Sequence, residues 1–144
     1  MFKNVMIVCI GNICRSPIAE VLLQHQQPQL NVFSSGLSAL VGKPADPSSV
    51  ELMADKKIDL SKHCAQQINS VLVSASDLIL TMEQKHVDAI QSQFPESRGK
   101  VHLIGKWSNN QEIPDPYKKD KVAFSSAALL IEQGLEAWQK KLWK

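Results

Sequence analysis

The chain has 144 residues, 44% of them apolar, and its 16 Lys and Arg side chains nearly balance 14 Asp and Glu, for a formal net charge of +2. This length suits one domain with a hydrophobic core of its own, and we expect residues 1–144 to form a single domain. The small net charge argues against nucleic-acid binding through phosphate neutralisation. No apolar run approaches the ~18 residues that a membrane-spanning helix needs.

The amino-terminal segment and the cysteines favour a cytoplasmic protein without an inserted membrane segment. The first eight residues hold one Lys and a short apolar run, with no small-residue cleavage site after it, so they do not resemble a signal peptide. Cys9, Cys14 and Cys64 are an odd number without regular spacing, which argues against a secreted disulfide framework. A zinc site at these cysteines would need a fourth ligand and a recognisable spacing, and neither is present.

Strand and helix patterns alternate along the chain. Continuous apolar runs predict strands at residues 5–10, 32–36, 77–82 and 101–104. Apolar side chains at helical spacing predict helices at residues 17–26, from 47 onward and from 121 to the end, the second of them with Asp46 as N-cap and Pro47 at its first position. A polar segment at residues 83–93 is predicted as a further helix between the third and fourth strands. This order predicts an α/β fold, a three-layer sandwich with a four-stranded parallel twisted sheet flanked by helices.

The junction between the first strand and the first helix is the expected ligand site, since parallel sheets bind ligands at the carboxyl ends of their strands. It reads Cys9-Ile10-Gly11-Asn12-Ile13-Cys14-Arg15-Ser16-Pro17. Gly11 and Asn12 can adopt left-handed backbone conformations, which would let the loop curl with its N–H groups pointing inward as an anion nest. Pro17 would start the helix at once and add its positive dipole end. We therefore predict a phosphate-binding loop here.

Three side chains of this loop predict nucleophilic chemistry. The sulfur of Cys9 would lie among the inward N–H donors, which favour a thiolate, and a thiolate is a nucleophile. Arg15 has a planar fork suited to two phosphate oxygens, and Ser16 can donate its hydroxyl to the sulfur. A cysteine at the end of a buried strand is more often a small core residue. The sequence after Cys9 nevertheless favours an anion-binding loop, because it contains the Arg, the Ser and the helix-starting Pro. The loop lacks the Gly-Lys-Ser/Thr ending of nucleotide-binding loops.

A thiolate that attacks phosphorus needs an acid to protonate the departing oxygen. The best candidate is Asp115, in a loop after the fourth strand that should emerge at the same edge of the sheet. Pro114 and Pro116 flank it and would hold the carboxyl group at low entropic cost. A plain Pro-Asp-Pro turn is the alternative.

These residues resemble the low-molecular-weight protein tyrosine phosphatases. The resemblance covers essentially the whole chain. It rests on the nine-residue loop with Ala19-Glu20 behind it, on Ser35-Gly36, on His63-Cys64-Ala65-Gln66-Gln67-Ile68, on Asp77-Leu78-Ile79-Leu80-Thr81-Met82 and on Asp115-Pro116-Tyr117. Leu40-Val41-Gly42-Lys43 and Ile113-Pro114-Asp115-Pro116-Tyr117 most resemble the bacterial members that dephosphorylate autophosphorylating tyrosine kinases in capsule and exopolysaccharide export.

The resemblance implies a role for each matching residue. Cys9 would be the nucleophile that forms a phosphocysteine, Arg15 would bind the phosphoryl oxygens, and Asp115 would be the general acid and then the base. Substrate contacts would come from Ile10, Gly11, Asn12, Ile13, Cys14 and Ser16 of the loop and from Leu40 and Tyr117 of the wall, and Ser35 and His63 would support the loop through Asn12. No cofactor or metal is implied. The implied partner is a tyrosine-phosphorylated protein, a membrane-associated bacterial tyrosine kinase.

The roles of two cysteines and one histidine can be interpreted in more than one way. The resemblance suggests a protective disulfide between Cys14 and Cys9 under oxidant, whereas a buried loop thiol is the plainer interpretation of Cys14. We expect Cys64 to be structural. His63, considered alone, could simply be solvated.

Three other functions fit parts of the sequence. An arsenate reductase of similar fold would need a relay pair of cysteines beyond the third strand, and no cysteine follows Cys64. A non-catalytic phosphotyrosine-binding module would normally have lost Cys9 or Asp115. A phosphocysteine sugar-transport subunit would have no evident need for Arg15 and Asp115.

Overall fold

Four parallel strands form one sheet in the computed structural model, which describes residues 2–143. They are β1 (Asn4–Cys9), β2 (Asn31–Gly36), β3 (Leu78–Thr81) and β4 (Val101–Leu103), in the order β2-β1-β3-β4. The helices are α1 (Arg15–Gln26), α2 (Pro47–Asp55), α3 (Ser70–Ala75), α4 (Gln84–Gln93) and α5 (Lys121–Leu142), with a 3-10 turn at Pro95–Ser97. The predicted α/β fold with a four-stranded parallel sheet is confirmed.

The central strand β1 is apolar on both faces because each face meets a separate hydrophobic core. Val5 and Ile7 belong to the core that the sheet shares with α1, α2 and α5. Met6 and Val8 point the other way and pack with side chains of α3 and α4. Helices therefore cover both faces of the sheet, which makes the three layers.

Two helices differ from the prediction. Helix α1 begins at Arg15 instead of Pro17, so Pro17 is its third residue. Proline is tolerated there because the N–H groups of a first helical turn have no intrahelical acceptor. The short helix α3 is not predicted, since six residues with three consecutive apolar side chains show no helical period. The prediction for α2 is confirmed, because the Asp46 side chain accepts a hydrogen bond from Ser48 N at 2.9 Å.

The last helix, α5, lies close against the end of β4. Gly134 allows this approach, since a Cβ atom there would lie 2.3 Å from Ile104 Cγ2 and 2.8 Å from the Ile104 carbonyl oxygen. Trp138 Nε1 donates a hydrogen bond of 3.1 Å to the Leu103 carbonyl oxygen and fixes the helix further along. Among residues 2–143, no helix has both the length and the apolar character that crossing a bilayer would require.

Parallel pairing brings three loop starts to one edge of the sheet. The chain leaves β1 at Cys9, leaves β3 just before Glu83, and leaves β4 on the path to Asp115. The register of β1 on β3 pairs Val8 with Thr81, so the two strands end at the same level. Cys9, Glu83 and Asp115 are therefore brought to the same edge of the sheet.

Candidate active site

The loop after β1 is held from outside by its carbonyl groups. All six carbonyl oxygens from residue 9 to residue 14 accept a hydrogen bond from outside the loop. The donors, in order, are Leu37 N (2.9 Å), Ser38 N (2.9 Å), Leu40 N (3.0 Å), His63 Nε2 (2.6 Å), Asp46 N (2.8 Å) and Ser49 Oγ (3.3 Å). Within residues 2–143, no backbone N–H of residues 11–14 donates a hydrogen bond to protein. The carbonyl groups thus point outward, and the N–H groups remain without a protein acceptor, as an anion nest requires.

Asn12 supplies the left-handed residue of the loop, with φ of 59°. The prediction was wrong for Gly11, which keeps a negative φ and borders the open cavity instead. A different glycine is needed for packing. A Cβ atom on Gly36 would lie 2.4 Å from the Ile10 carbonyl oxygen, so only glycine lets β2 approach the loop this closely.

A buried hydrogen-bond chain supports the sulfur of Cys9 from behind. Cys9 Sγ lies 2.9 Å from Ser16 Oγ, and Asn12 Nδ2 donates to Ser16 Oγ at 2.8 Å and to Ser34 Oγ at 2.9 Å. Because Ser16 Oγ already accepts from Asn12, its own proton is free to be donated to the sulfur. The Ser34 hydroxyl donates onward to Glu20 Oε1 at 2.5 Å. Burial raises the pKa of Glu20, although the Ser34 hydrogen bond and the nearby His63 oppose this.

The loop support predicted for Ser35 was wrong. Ser34 contacts Asn12, while the Ser35 hydroxyl lies 3.3 Å from Met6 Sδ on the opposite face of the sheet. Successive strand residues point to opposite faces, so an error of one position exchanges the two serines. His63 does contact Asn12, but through the backbone: its Nε2 lies 2.6 Å from the Asn12 carbonyl oxygen, and since a carbonyl only accepts, Nε2 carries the proton.

Arg15 is almost completely buried, with 1% of its surface exposed. Its Nη1 donates to Glu83 Oε1 at 2.6 Å and to the Ile113 carbonyl oxygen at 2.7 Å. These bonds hold the guanidinium from one side. Its Nη2 lies 3.8 Å from Asp115 Oδ2, which places the fork between the loop and the candidate acid.

Asp115 lies in a turn, and its two carboxylate oxygens have different neighbours. Its Oδ1 accepts a hydrogen bond of 3.0 Å from Tyr117 N, and its Oδ2 faces Arg15. The preceding segment is fixed to the sheet edge, because Ile113 N donates to the Met82 carbonyl oxygen at 3.0 Å. The carboxyl side chain remains about half exposed, so a bound molecule can reach it.

These groups surround one cavity of about 150 Å³. It is lined by Cys9, Ile10, Gly11, Ile13, Cys14, Arg15, Ser38, Leu40, Asp115 and Tyr117. Of the side chains predicted to contact substrate, Asn12 and Ser16 do not line it; they are fully buried behind the loop and act on its shape. Ser38 lines the cavity without having been predicted.

Comparison with known proteins identifies this arrangement. The family model for the low molecular weight phosphotyrosine protein phosphatase matches residues 4–144. The chain belongs to this family. Over 142 residues the phosphatase is 49% identical to the low molecular weight protein-tyrosine-phosphatase Wzb of Escherichia coli strain K12, an alignment that covers 99% of this chain and 97% of that protein.

Solved structures agree with the fold of the phosphatase. Vibrio vulnificus Wzb in complex with benzylphosphonate superimposes with a TM-score of 0.95 at 43% sequence identity, covering 99% of this chain and all of that one. The YwlE arginine phosphatase from Geobacillus stearothermophilus is also similar, with a TM-score of 0.91 at 28% identity over 97% of this chain and 92% of that one. Both likenesses extend over nearly the full length of the phosphatase.

The three cysteines of the phosphatase differ in surroundings. Cys9 and Cys14 are buried, and none of the three is in a disulfide. Burial, followed by the nearby Asp46 and Cys9, raises the pKa of Cys14 well above its usual range, so Cys14 stays a thiol. Cys64 is exposed, which contradicts the structural role expected for it. Within residues 2–143, no three His, Cys, Asp or Glu side chains are grouped to hold a metal ion.

Glu83 joins the site through its hydrogen bond with Arg15 and was not predicted from the sequence. Burial alone would raise its pKa, but the hydrogen bond and charge of Arg15 outweigh burial and lower it. Beneath it, His86 Nδ1 accepts from Glu83 N at 3.2 Å. His86 is buried, and its Nε2 lies 3.7 Å from Glu83 Oε1. Its position in the sequence could have indicated it: Glu83 lies two residues beyond β3, and the end of β3 lies beside the end of β1.

Proposed function

We propose that the phosphatase hydrolyses phosphotyrosine in proteins through a phosphocysteine on Cys9. In the first step the Cys9 sulfur attacks phosphorus, the bond from phosphorus to the phenolic oxygen breaks, and Asp115 gives its proton to that oxygen. The inward N–H groups of residues 11–14 and the buried Arg15 stabilise the charge on the transferring phosphoryl oxygens. Ser16 stabilises the sulfur as it attacks and later leaves.

In the second step water replaces the sulfur. The Asp115 carboxylate takes a proton from a water molecule, whose oxygen attacks phosphorus, and the bond from sulfur to phosphorus breaks to release inorganic phosphate. The same carboxyl group serves both steps because the leaving phenol vacates the place that the water then takes. The observation that carries this proposal is Asp115 Oδ2 lying 3.8 Å from Arg15 Nη2 at a cavity that has Cys9 among its lining residues.

The cavity walls favour an aromatic phosphate ester over phosphoarginine. Ile13, Leu40 and Tyr117 contribute apolar side chains to the wall, which suit the flat ring of tyrosine. The guanidinium of phosphoarginine would instead bring N–H groups that need acceptors when they are buried. We therefore expect a phosphotyrosine peptide to be hydrolysed and the matching phosphoarginine peptide to be left largely intact.

The role of Asp115 is tested with aryl phosphates whose phenols differ in pKa. For Asp115→Ala we expect kcat to fall by about 10²- to 10⁴-fold with phenyl phosphate, whose leaving group needs protonation, and far less with p-nitrophenyl phosphate. Asp88→Ala, which removes an exposed carboxylate on α4, is the matched control and should leave both rates unchanged. Equal losses for all leaving groups would exclude Asp115 as the acid.

We further propose that the physiological substrate is a bacterial tyrosine kinase that controls exopolysaccharide or capsule production, and that the phosphatase meets it in the cytoplasm. The support is the likeness to Wzb together with the resemblance of residues 40–43 and 113–117 to the bacterial members. Immobilised Asp115→Ala should bind phosphate esters but turn them over slowly, and so should retain the phosphorylated kinase from a lysate of the source cells. Retention of other phosphoproteins, with the kinase passing through, would contradict this substrate.

A further inference from the structure

A tight turn carries two lysines past the catalytic cavity. The Pro116 carbonyl oxygen accepts a hydrogen bond of 2.9 Å from Lys119 N, and Lys118 adopts the left-handed backbone conformation with φ of 63°. At the start of the same turn, the Asp115 side chain accepts a hydrogen bond of 3.0 Å from Tyr117 N. The backbone of Lys118 and Lys119 is thus fixed to the same turn that holds the candidate acid.

Each lysine lies next to a residue that lines the cavity, Lys118 against Tyr117 and Lys119 in a groove that includes Asp115. Lys118 Nζ lies 5.5 Å from the ring centroid of Tyr117, whose side chain lines the cavity and is 40% exposed. Lys119 borders a second groove, which shares Asp115 with the cavity and has an apolar floor that includes Pro116 and Leu130. A polypeptide that leaves the cavity over Tyr117 and Asp115 would run beside both lysines.

The charges of these two lysines are not neutralised within residues 2–143. Lys56, Lys121 and Lys140 each lie within 4 Å of a carboxylate, whereas neither Lys118 nor Lys119 forms an ion pair. The nearest carboxylates along the chain are already engaged. Asp115 faces Arg15 and the turn, and Asp120 Oδ1 accepts from Ala123 N at the start of α5.

We propose that Lys118 and Lys119 form a subsite that selects phosphotyrosine segments carrying acidic side chains within three residues of the phosphotyrosine. This inference rests on the proposed function and adds the class of sequence that the enzyme prefers. Three residues of extended chain span about 10 Å, a distance that long lysine side chains at the margin can serve. Opposite charges at such a rim raise the rate of encounter and help fix the register of the bound segment.

The test compares two phosphotyrosine peptides of equal length. One carries Glu at the two positions on each side of the phosphotyrosine, and the other carries Gln at the same positions. An exposed ion pair changes an equilibrium by about 1.4- to 5-fold, so two lysines predict a kcat/KM ratio of about 2 to 25 in favour of the Glu peptide at low salt. The ratio should decline as salt rises, because exposed charges are screened.

Three variants locate the effect. In Lys118→Gln/Lys119→Gln the ratio should fall close to one, and in Lys118→Arg/Lys119→Arg it should stay high because the charges remain. The control variant Arg98→Gln also removes an exposed positive charge, but from a residue just before β4, at the opposite edge of the sheet. It should leave the ratio unchanged.

The outcomes separate the subsite from the function beneath it. Equal kcat/KM values for the two peptides, or a ratio that survives the double Gln variant, would overturn the subsite while phosphotyrosine hydrolysis stands. A ratio that falls equally in Arg98→Gln would show overall charge instead of a subsite. Failure to dephosphorylate either peptide would overturn the proposed function, and the subsite with it.

Discussion

Arg15 depends on Glu83 for its place in the cavity. The guanidinium is buried, and burial of a charged group is costly unless it is paired and hydrogen-bonded. Glu83 Oε1 and the Ile113 carbonyl oxygen both accept from Nη1, which leaves Nη2 on the side of Asp115. We therefore expect Glu83 to act through Arg15, by holding the proposed phosphate-binding group in position.

Replacing Glu83 by Gln should weaken catalysis by misplacing Arg15. The loss of one charge-assisted hydrogen bond corresponds to about 1.5–3 kcal/mol, so kcat/KM for p-nitrophenyl phosphate should fall by roughly tenfold or more. Both kcat and inhibition by inorganic phosphate should suffer, since the proposed mechanism uses Arg15 in phosphate binding and in the transition state. Glu83→Asp should recover part of the loss.

A purely structural role would give a different pattern. Glu136→Gln breaks an exposed ion pair with Lys140 on α5 and should leave kcat, KM and phosphate inhibition unchanged. The positioning role would be contradicted if Glu83→Gln lowered the free energy of unfolding but kept the kinetics of the unmodified enzyme.

The candidate site could be predicted from sequence where its parts are close along the chain. Cys9, Ser16 and Arg15 occupy one loop, so their spacing alone indicates shared chemistry. Glu83 lies 68 positions from Arg15, and only the pairing of β3 with β1 brings the two together. The exchange of Ser34 for Ser35 has a similar cause, because the sequence does not reveal which strand face meets the loop.

At the scale of elements, the start of α4 combines a helix cap with the support of Arg15. Glu83 is the N-cap residue, and His86 closes a reciprocal capping box three residues later. Burial, with help from the Arg15 charge, lowers the pKa of His86 to about 4. Glu83 opposes this shift, and Lys85 adds to it. In the folded protein His86 is therefore neutral at neutral pH.

This histidine should make stability depend on pH. The unfolded chain binds the proton near pH 6.5, whereas the folded protein binds it only near pH 4, so stability is full above pH 6.5 and is lost as pH falls through that window. Between pH 7 and pH 5 the unmodified protein should lose ~2 kcal/mol more than His86→Gln, which keeps a capping side chain but does not titrate. Urea unfolding at both pH values measures the difference. Equal losses in the two proteins would show that His86 does not carry the effect.

Element prediction succeeded where periodicity was long and failed where it was short. The buried runs of β1 and β3 and the 22 residues of α5 leave little ambiguity. Helix α3 has six residues, fewer than two helical turns, and depends on its Asn69 cap and on packing against the sheet. Its existence follows from tertiary contacts that a local pattern does not contain.

At the scale of the whole molecule, the distance between α5 and the sheet determines how the carboxyl-terminal half packs. Gly134→Ala tests this contact. Alanine is the better helix former by about 1 kcal/mol, but its Cβ atom would overlap Ile104. We expect overlap to prevail and the free energy of unfolding to fall by about 1–3 kcal/mol. Gln133→Ala, at the exposed neighbouring position, should have little effect, and a stabilised Gly134→Ala protein would contradict the close contact.

The arrangement of three loops at one edge also belongs to this scale. Loop residues after β1, β3 and β4 meet because parallel strands end together, which is why the strand order alone predicted that Asp115 would lie near Cys9. Which faces the side chains present, and how deeply Arg15 is buried, depend on packing that no strand order specifies.

The central claim is that Cys9 carries the phosphoryl group between two chemical steps. The most direct measurement is mass spectrometry of peptides from the enzyme quenched in acid during turnover of p-nitrophenyl phosphate. We predict a mass gain of one phosphoryl group on the peptide that contains Cys9, and its absence in Cys9→Ser, which should also have lost turnover. A phosphoryl group on a different residue, or full turnover by Cys9→Ser, would contradict the claim.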